Sequence, residues 1–200
     1  MTHGNEADLT AKARIRRAAL ALFARNGFAG TSLRAVAARA GVSHALVRHH
    51  FGSKEGLRAA VDEDVLDDFD TLMEGVETTD PGELLAAFGG ASARLLGTDE
   101  VRREYLRRSL LEGNDAGAAL FTRLLEGVRT RLDGLRDGPA EDEVTGRWEP
   151  YQVLFLILGP MLLEPVMAAG SSRPVFDPDV VAERSRVNQR LIARGILGRT

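Results

Sequence analysis

The sequence SLRAVAARAGVSHALVRHHFGSK, residues 32–54, decides the fold of this chain. Four of its apolar residues recur at i, i+3, i+4 and i+7, a spacing that predicts one apolar stripe on a short helix. These residues are Leu33, Val36, Ala37 and Ala40. Gly41 predicts the end of that helix, because glycine takes the left-handed conformation at a helix C-terminus without strain. Ser43 predicts the N-cap of a second helix that ends near Phe51. Two short helices joined by such a tight turn are typical of a helix-turn-helix.

The second helix of this pair carries a surface of polar and basic side chains with one small residue and no large apolar one. Its members are Ser43, His44, Ala45, Arg48, His49 and His50. Such side chains can contact base edges and phosphates in the major groove of DNA. A metal site is the alternative for the imidazoles, but His44 and His49 lie about 140° apart on a helix, whereas helical ligands prefer the spacing i, i+4. We therefore predict contact with double-stranded DNA and no metal.

Four neighbouring residues complete the predicted DNA-binding set, namely Thr31, Ser32, Arg34 and Lys54. For Arg34 and Arg48 the sequence leaves open whether the guanidinium reads guanine or binds phosphate. Lys54, Ser43 and Thr31 are predicted to position the DNA backbone. Lys54 also begins a helix after Ser53, and a helix N-terminus is a ready site for phosphate.

Charge is distributed unevenly along the chain. Residues 1–54 contain nine Lys or Arg against two acidic residues, a net charge of +7, whereas the remainder contains 17 against 27, a net charge of −10. A basic module beside an acidic body is the electrostatic pattern of a polyanion-binding protein.

Apolar periodicity predicts an all-α fold of about nine helices. They cover about residues 10–26, 33–40, 44–51, 54–76, 84–96, 101–112, 116–135, 148–169 and 178–196. Residues 1–9 are expected to form a flexible tail, and Phe28 to fill the core of the first three helices. We place a DNA-binding domain at residues 1–53 and a second helical domain at 54–200. Gly89 and Gly90 mark either close helix packing or a kink beside a cavity.

Composition excludes several classes of protein and site. The chain has no cysteine, which rules out disulfides, thiolate metal sites and cysteine nucleophiles. Residues 1–9 show no apolar signal sequence, so we expect a soluble, cytoplasmic protein. The apolar run 148–169 is not predicted to span a membrane, because Pro160, Glu164 and Pro165 interrupt it. No catalytic triad, phosphate-binding loop or cofactor motif is visible, so we predict neither an enzyme nor a cofactor.

The first 57 residues resemble the TetR family of transcriptional repressors. The resemblance rests on Ala18-Ala19-Leu20-Ala21-Leu22-Phe23, Gly27-Phe28, Thr31-Ser32, Val36-Ala37, Ala40-Gly41-Val42-Ser43 and His50-Phe51-x-Ser53-Lys54-Glu55-x-Leu57. Two departures matter. Similar proteins usually carry an aromatic residue, most often tyrosine, in place of Arg48, so their base preference does not transfer. They carry an acid in place of Ala35, which leaves Ser32 as an N-cap without its capping-box partner.

The resemblance implies a ligand-responsive repressor that binds its operator as a homodimer and is released by a small apolar effector. The alternative is an architectural or constitutive DNA-binding protein without effector control. Helices eight and nine are the predicted dimer interface, through Leu154, Leu158, Met161, Leu162, Val181, Arg184, Val187, Asn188 and Leu191. The predicted effector pocket in the helical ligand-binding and dimerisation domain comprises Phe69, Phe88, Tyr105, Phe121, Trp148, Tyr151, Gln152 and Phe155.

Overall fold

The computed structural model describes residues 3–73, 81–135 and 142–196, with the side chains of 3–9, of 68–73 and of several residues in 81–98 left undescribed. All regular structure in these ranges is helical, as predicted. Ten α-helices precede one π-helical turn at Ile192–Ile196. They are α1 His3–Asn26, α2 Leu33–Ala40, α3 His44–Phe51, α4 Lys54–Met73, α5 Pro81–Thr98, α6 Glu100–Leu111, α7 Asp115–Leu135, α8 Glu143–Leu162, α9 Glu164–Gly170 and α10 Pro178–Leu191.

The first and the last helix have bounds that differ from the sequence prediction. The first helix begins at His3 rather than Thr10, so the expected tail is helical from residue 3 onward. Residues 3–9 contain no proline, so every residue in this stretch has the backbone N–H that a helix requires. At the other end, α10 stops at Leu191 and continues as the π-helical turn.

The predicted single helix over residues 148–169 is wrong, because it is two helices. The chain bends by 68° between α8 and α9. Pro165 lies in the first turn of α9, where its missing N–H costs nothing, and it cannot continue the hydrogen bonds of α8. Pro160 is accommodated inside α8. Among the described residues no single helix is long and apolar enough to cross a membrane, and α8 and α9 reach that length only as a bent pair.

The first of two compact units comprises Met1–Asp67 and Val101–Gly113. Its core is built by apolar residues from five of its helices that are at most 2% exposed. They are Ile15, Ala19, Phe23, Val36, Val47, Leu57, Val61, Val65, Tyr105 and Leu106. The unit therefore contains α4 as far as Asp67 and α6 from Val101 onward, and it is larger than the DNA-binding domain predicted at residues 1–53.

The second compact unit comprises Asp68–Glu100 and Asn114–Thr200. Within it α5 packs along α10, and α7 packs against α8. A Cβ atom at Gly89 would lie 2.4 Å from Nε2 of Gln189 and 2.9 Å from Oγ of Ser185. Gly89 therefore permits close packing of α5 on α10, and α5 runs through it without a break. The close-packing alternative for this glycine is confirmed.

Candidate functional site

The helix-turn-helix is closed by the caps that the sequence predicted. Ser32 Oγ accepts a hydrogen bond from the backbone N–H of Ala35 at 3.1 Å, and Ser43 Oγ accepts one from Leu46 at 3.1 Å. Gly41 ends α2 with φ +65°. Val47 is completely buried and anchors α3 to the core of the unit. Because α3 is held from one side, its opposite side faces solvent.

Most of the predicted DNA-contacting residues of α3 are exposed. Ser43, Ala45, Arg48 and His49 are exposed, whereas His44 and His50 are half-buried. The His50 ring packs against the rings of His49 and Phe51, at centroid distances of 5.4 and 6.0 Å. Residues 9–54 contain no Asp or Glu, so the surface around α3 carries no acidic side chain from α2 or α3. This arrangement leaves a positively charged surface that suits a phosphate backbone.

Lys54 is positioned at the N-terminus of α4 by contacts with the turn before α2. Its ammonium donates to the carbonyl of Ala29 at 3.4 Å and lies 4.3 Å from the centroid of the Phe28 ring. Phe28 was predicted to fill the core, but it is half-buried and its ring contacts cations. Ser53 Oγ accepts from the N–H of Gly56 at 3.1 Å, which confirms Ser53 as the cap of α4. Lys54 is thus held at a helix N-terminus, where the helix dipole also favours an anion.

Thr31 is a correction to the predicted contact set. It is 3% exposed, and its hydroxyl donates to the carbonyls of Gly27 at 2.9 Å and Leu22 at 3.2 Å. The hydroxyl is therefore used inside the fold, and Thr31 is withdrawn from the proposed DNA-contacting set. Ser32 and Arg34 are exposed and stay in the predicted set.

A buried polar cluster joins α4 and α6, and sequence reasoning missed it. The hydroxyl of Tyr105 donates to Oδ1 of Asp62 at 2.5 Å, and Arg58 Nη1 donates to Oε2 of Glu112 at 3.2 Å. Tyr105 is 2% and Arg58 4% exposed. Burial, and then the charge of Asp62, raise the pKa of the Tyr105 hydroxyl well above its ordinary value. Tyr105 was predicted to line the effector pocket, so this position is a second correction. The available sequence signal for this cluster was the pair Arg58 and Asp62, two charged residues one turn apart on α4.

The remaining predicted pocket residues form a surface cluster rather than an enclosed pocket. The rings of Phe121, Trp148 and Phe155 each lie 5.4 to 6.2 Å from the ring of Tyr151. Trp148 is 48% and Phe155 49% exposed, and Gln152 is also exposed. Phe69 and Phe88 lie on α4 and α5, but their side chains fall outside the described residues. An amphipathic helix exposes aromatic rings when its neighbours cover only one side, and the sequence does not show which side that is.

A cavity of about 50 Å³ lies elsewhere in the second unit, between α5, α8 and α10. Its apolar lining includes Leu85, Gly89 and Ile157, and its polar lining includes Asn188 and Gln189. Gly89 contributes to this lining although α5 runs through it without a break. Among the described residues, no three His, Asp or Glu side chains form a group that could hold a metal ion.

The predicted dimer residues divide into buried and exposed sets. Leu154, Leu158, Met161 and Val181 are at most 6% exposed in the protomer, so they belong to its own core and their assignment to a dimer interface is corrected. Leu162 is half-buried. Arg184 and Asn188 are half-buried and donate to the carbonyls of Val175 and Leu156, at 3.0 and 3.2 Å. Val187 and Leu191 are 44% and 54% exposed.

Several exposed apolar residues were not predicted for the interface. Besides Trp148 and Phe155 of α8, they include Leu163, Val166 and Met167, which lie at and after the bend into α9. Periodicity shows that a helix has an apolar side, but it does not distinguish the protomer core from a surface that another chain covers.

Comparison with known proteins agrees with this architecture. Residues 15–61 match the sequence model of the family described as "Bacterial regulatory proteins, tetR family". The chain is 42% identical over 134 residues to the HTH-type transcriptional regulatory protein RaaS of Mycobacterium tuberculosis, covering 66% of this chain and 60% of that protein. It is 35% identical over 127 residues to the HTH-type transcriptional repressor Rv3405c of the same organism, covering 60% of each.

The chain thus spans about 60% of the length of these two relatives. Its fold is similar to that of a TetR-like transcriptional regulator from Rhodococcus sp. RHA1, with a TM-score of 0.67 and 19% identity. That alignment covers 94% of this chain and 97% of the Rhodococcus chain.

Proposed function

Because the chain belongs to the TetR family of bacterial regulatory proteins, we propose that it represses transcription by binding an operator duplex through α2, α3 and the N-terminus of α4. The observation that carries the proposal is the exposed, acid-free surface of α3, with Arg48 and His49 at its centre. One relative is named a transcriptional repressor, which supports the direction of control.

The contacts divide by the chemistry of the side chains. Arg48 and Arg34 are exposed guanidiniums that suit guanine or phosphate. Lys54, held by Phe28 and Ala29, suits phosphate because its ammonium is fixed at a helix N-terminus. Ser43 and Ser32 keep a hydroxyl proton to donate while their oxygens cap the helices. Ala45 and the imidazoles of His44, His49 and His50 complete the proposed base-reading set.

The active form is proposed to be a homodimer, because one helix-turn-helix makes few base contacts and such proteins read two half-sites as pairs. The support in the second unit is the set of large apolar side chains left in solvent on α8 and α10. Phe155, Val187 and Leu191 are 44% to 54% exposed, and apolar surface of this size is costly unless a partner covers it.

Effector control is proposed on the basis of the cavity between α5, α8 and α10. Its apolar lining with Asn188 and Gln189 as polar groups has the composition of a small-molecule site. Its volume of about 50 Å³ is well below the roughly 300 Å³ at which ligand pockets begin, so an effector must displace α5 or α10 to enter. The second candidate is a constitutive DNA-binding protein without effector control, in which this cavity is ordinary space between packed helices.

The test of DNA binding is a selection of duplexes from a random library, followed by fluorescence anisotropy over a salt series. We expect the selected duplex to bind more tightly than a scrambled one at every salt concentration. Arg48→Glu and Lys54→Glu should each abolish the preference. Arg129→Glu, an equal charge change at an exposed position of α7, should not. Equal binding of selected and scrambled duplexes would remove the proposed function.

The effector part is tested separately by thermal-shift screening of small apolar and amphipathic molecules. A molecule that raises the melting temperature should lower operator affinity, because it favours a conformation other than the DNA-bound one. If saturation with every recovered molecule leaves operator affinity unchanged, the constitutive candidate replaces the ligand-responsive one.

A further inference from the structure

We propose that Glu112, at the end of α6, is a positioning residue for the DNA-reading helices α2 and α3. The proposal rests on the proposed function, because it assigns to Glu112 the alignment of the surface that reads the operator. It is carried by two hydrogen bonds that one carboxylate accepts, and these join α6 to two different parts of the DNA-binding unit.

The two oxygens of Glu112 have different partners. Oε1 accepts from the backbone N–H of Phe28 at 3.3 Å, in the turn between α1 and α2. Oε2 accepts from Nη1 of Arg58 at 3.2 Å, in the second turn of α4. The Arg58 guanidinium lies 5.0 Å from the centroid of the Phe28 ring. Carboxylate, guanidinium and ring thus form a closed set of contacts among α6, α4 and the turn before α2.

This turn passes any displacement directly to α2, because its backbone is constrained. Gly27 has φ +74°, and a Cβ atom at Gly30 would lie 2.5 Å from the carbonyl oxygen of Asn26. The buried hydroxyl of Thr31 bonds the end of the turn to the carbonyls of Gly27 and Leu22. Two residues after Gly30, Ser32 caps α2. A shift of the Phe28 amide therefore moves the start of α2, and α3 follows through the tight turn at Gly41.

The charge of Glu112 is needed at this point. The Arg58 side chain is 5% exposed, and a buried guanidinium is costly unless a carboxylate or hydrogen-bond acceptor compensates it. The Glu112 side chain is 28% exposed, so replacing it leaves no large cavity. Loss of its charge should thus loosen Arg58 and the Phe28 turn without removing core packing.

A matched control exists on the same helix. Glu104 forms ion pairs with Arg107 and Arg108, three and four residues later on α6. Glu104→Gln and Glu112→Gln change the net charge equally. Only Glu112 has hydrogen bonds to the turn before α2 and to α4. A difference in DNA affinity or amide exchange between the two variants is therefore due to the contacts of Glu112 and not to the change in net charge.

The experiment compares wild-type protein, Glu112→Gln and Glu104→Gln by anisotropy with the selected and scrambled duplexes, and by amide hydrogen exchange without DNA. We expect Glu112→Gln to lower affinity for the selected duplex about tenfold, within the range of losing one bidentate base contact, and to leave affinity for the scrambled duplex at the Glu104→Gln value. Amide exchange over residues 28–43 should be faster in Glu112→Gln than in Glu104→Gln. The conservative Glu112→Asp variant should restore part of both effects.

Equal affinities and equal exchange in Glu112→Gln and Glu104→Gln would overturn the proposal. A wild-type protein that binds selected and scrambled duplexes equally would remove the proposed function instead. In that case faster exchange confined to Glu112→Gln still supports the positioning contact, and equal exchange overturns it. Circular dichroism melting of each variant shows that the compared proteins are folded.

Discussion

Tyr105→Phe tests the polar cluster that attaches α6 to α4. The substitution removes one oxygen atom from a side chain that is 2% exposed, so it creates almost no cavity. It deletes the 2.5 Å hydrogen bond to Asp62, a residue that is itself 9% exposed. A hydrogen bond to a charged group contributes about 1.5–3 kcal/mol, so we expect the free energy of unfolding to fall by about 2 kcal/mol.

The measurement is urea unfolding at pH 7 and fixed protein concentration, since oligomerisation would make stability concentration-dependent. With a slope of about 2 kcal/mol per molar urea, the midpoint should fall by about 1 M. Tyr151→Phe is the control. Tyr151 is half-buried and its ring packs against other aromatic rings, so loss of its hydroxyl should change the midpoint little.

The effect of Tyr105→Phe should also depend on pH in one direction. Burial and Asp62 raise the pKa of the Tyr105 hydroxyl in the folded state. A raised pKa in the folded protein contributes stability that is complete below the pKa of the unfolded state, about 10, and is lost above it. The difference between wild type and Tyr105→Phe should therefore be constant from pH 6 to 9 and change only above about pH 10. A loss below about 0.5 kcal/mol, within the range of ordinary surface substitutions, would refute the assigned role of the hydrogen bond.

Substitutions at four further positions test the caps and the proposed dimer. Gly41→Ala should destabilise the protein by about 1–2 kcal/mol because φ is +65° there, whereas Gly41→Asn should cost less, and thermal melting that ranks the two equally would contradict this reason. Ser43→Ala should cost about 1 kcal/mol through loss of the bond to the Leu46 amide, and unchanged urea midpoints would show that the cap is not needed. Val187→Asp and Leu191→Asp should shift the protein from dimer to monomer in light scattering without changing its helical content, and a dimer that persists in both would place the interface elsewhere.

The helix-turn-helix could be predicted almost completely from sequence, because its signals are local. Ser32, Gly41 and Ser43 act within three or four residues of themselves, and the structure shows each as the predicted helix cap. The break at Pro165 is also local, but the long apolar run around it concealed the bend. The prolines of this run were used to argue against a membrane span, but they were not used to predict where α8 ends.

The effector and dimer residues were harder to predict, because their roles depend on which helices are neighbours. Tyr105 is an aromatic residue of the kind that lines pockets, yet its hydroxyl donates a hydrogen bond to Asp62 of α4. Leu158 and Leu191 both lie on apolar sides of amphipathic helices, yet the first is 5% and the second 54% exposed. Nothing in the spacing of either residue separates these two outcomes.

The amino-acid sequence by itself determined the helix-turn-helix, its caps and the concentration of positive charge around α3, because each depends on residues close together in the chain. Tertiary structure alone decided that Thr31 is turned inward, that Glu112 meets Phe28 across 84 positions, and that α6 contributes to the core of the first unit. These contacts join residues far apart in sequence, and their free energy exists only once the helices have packed.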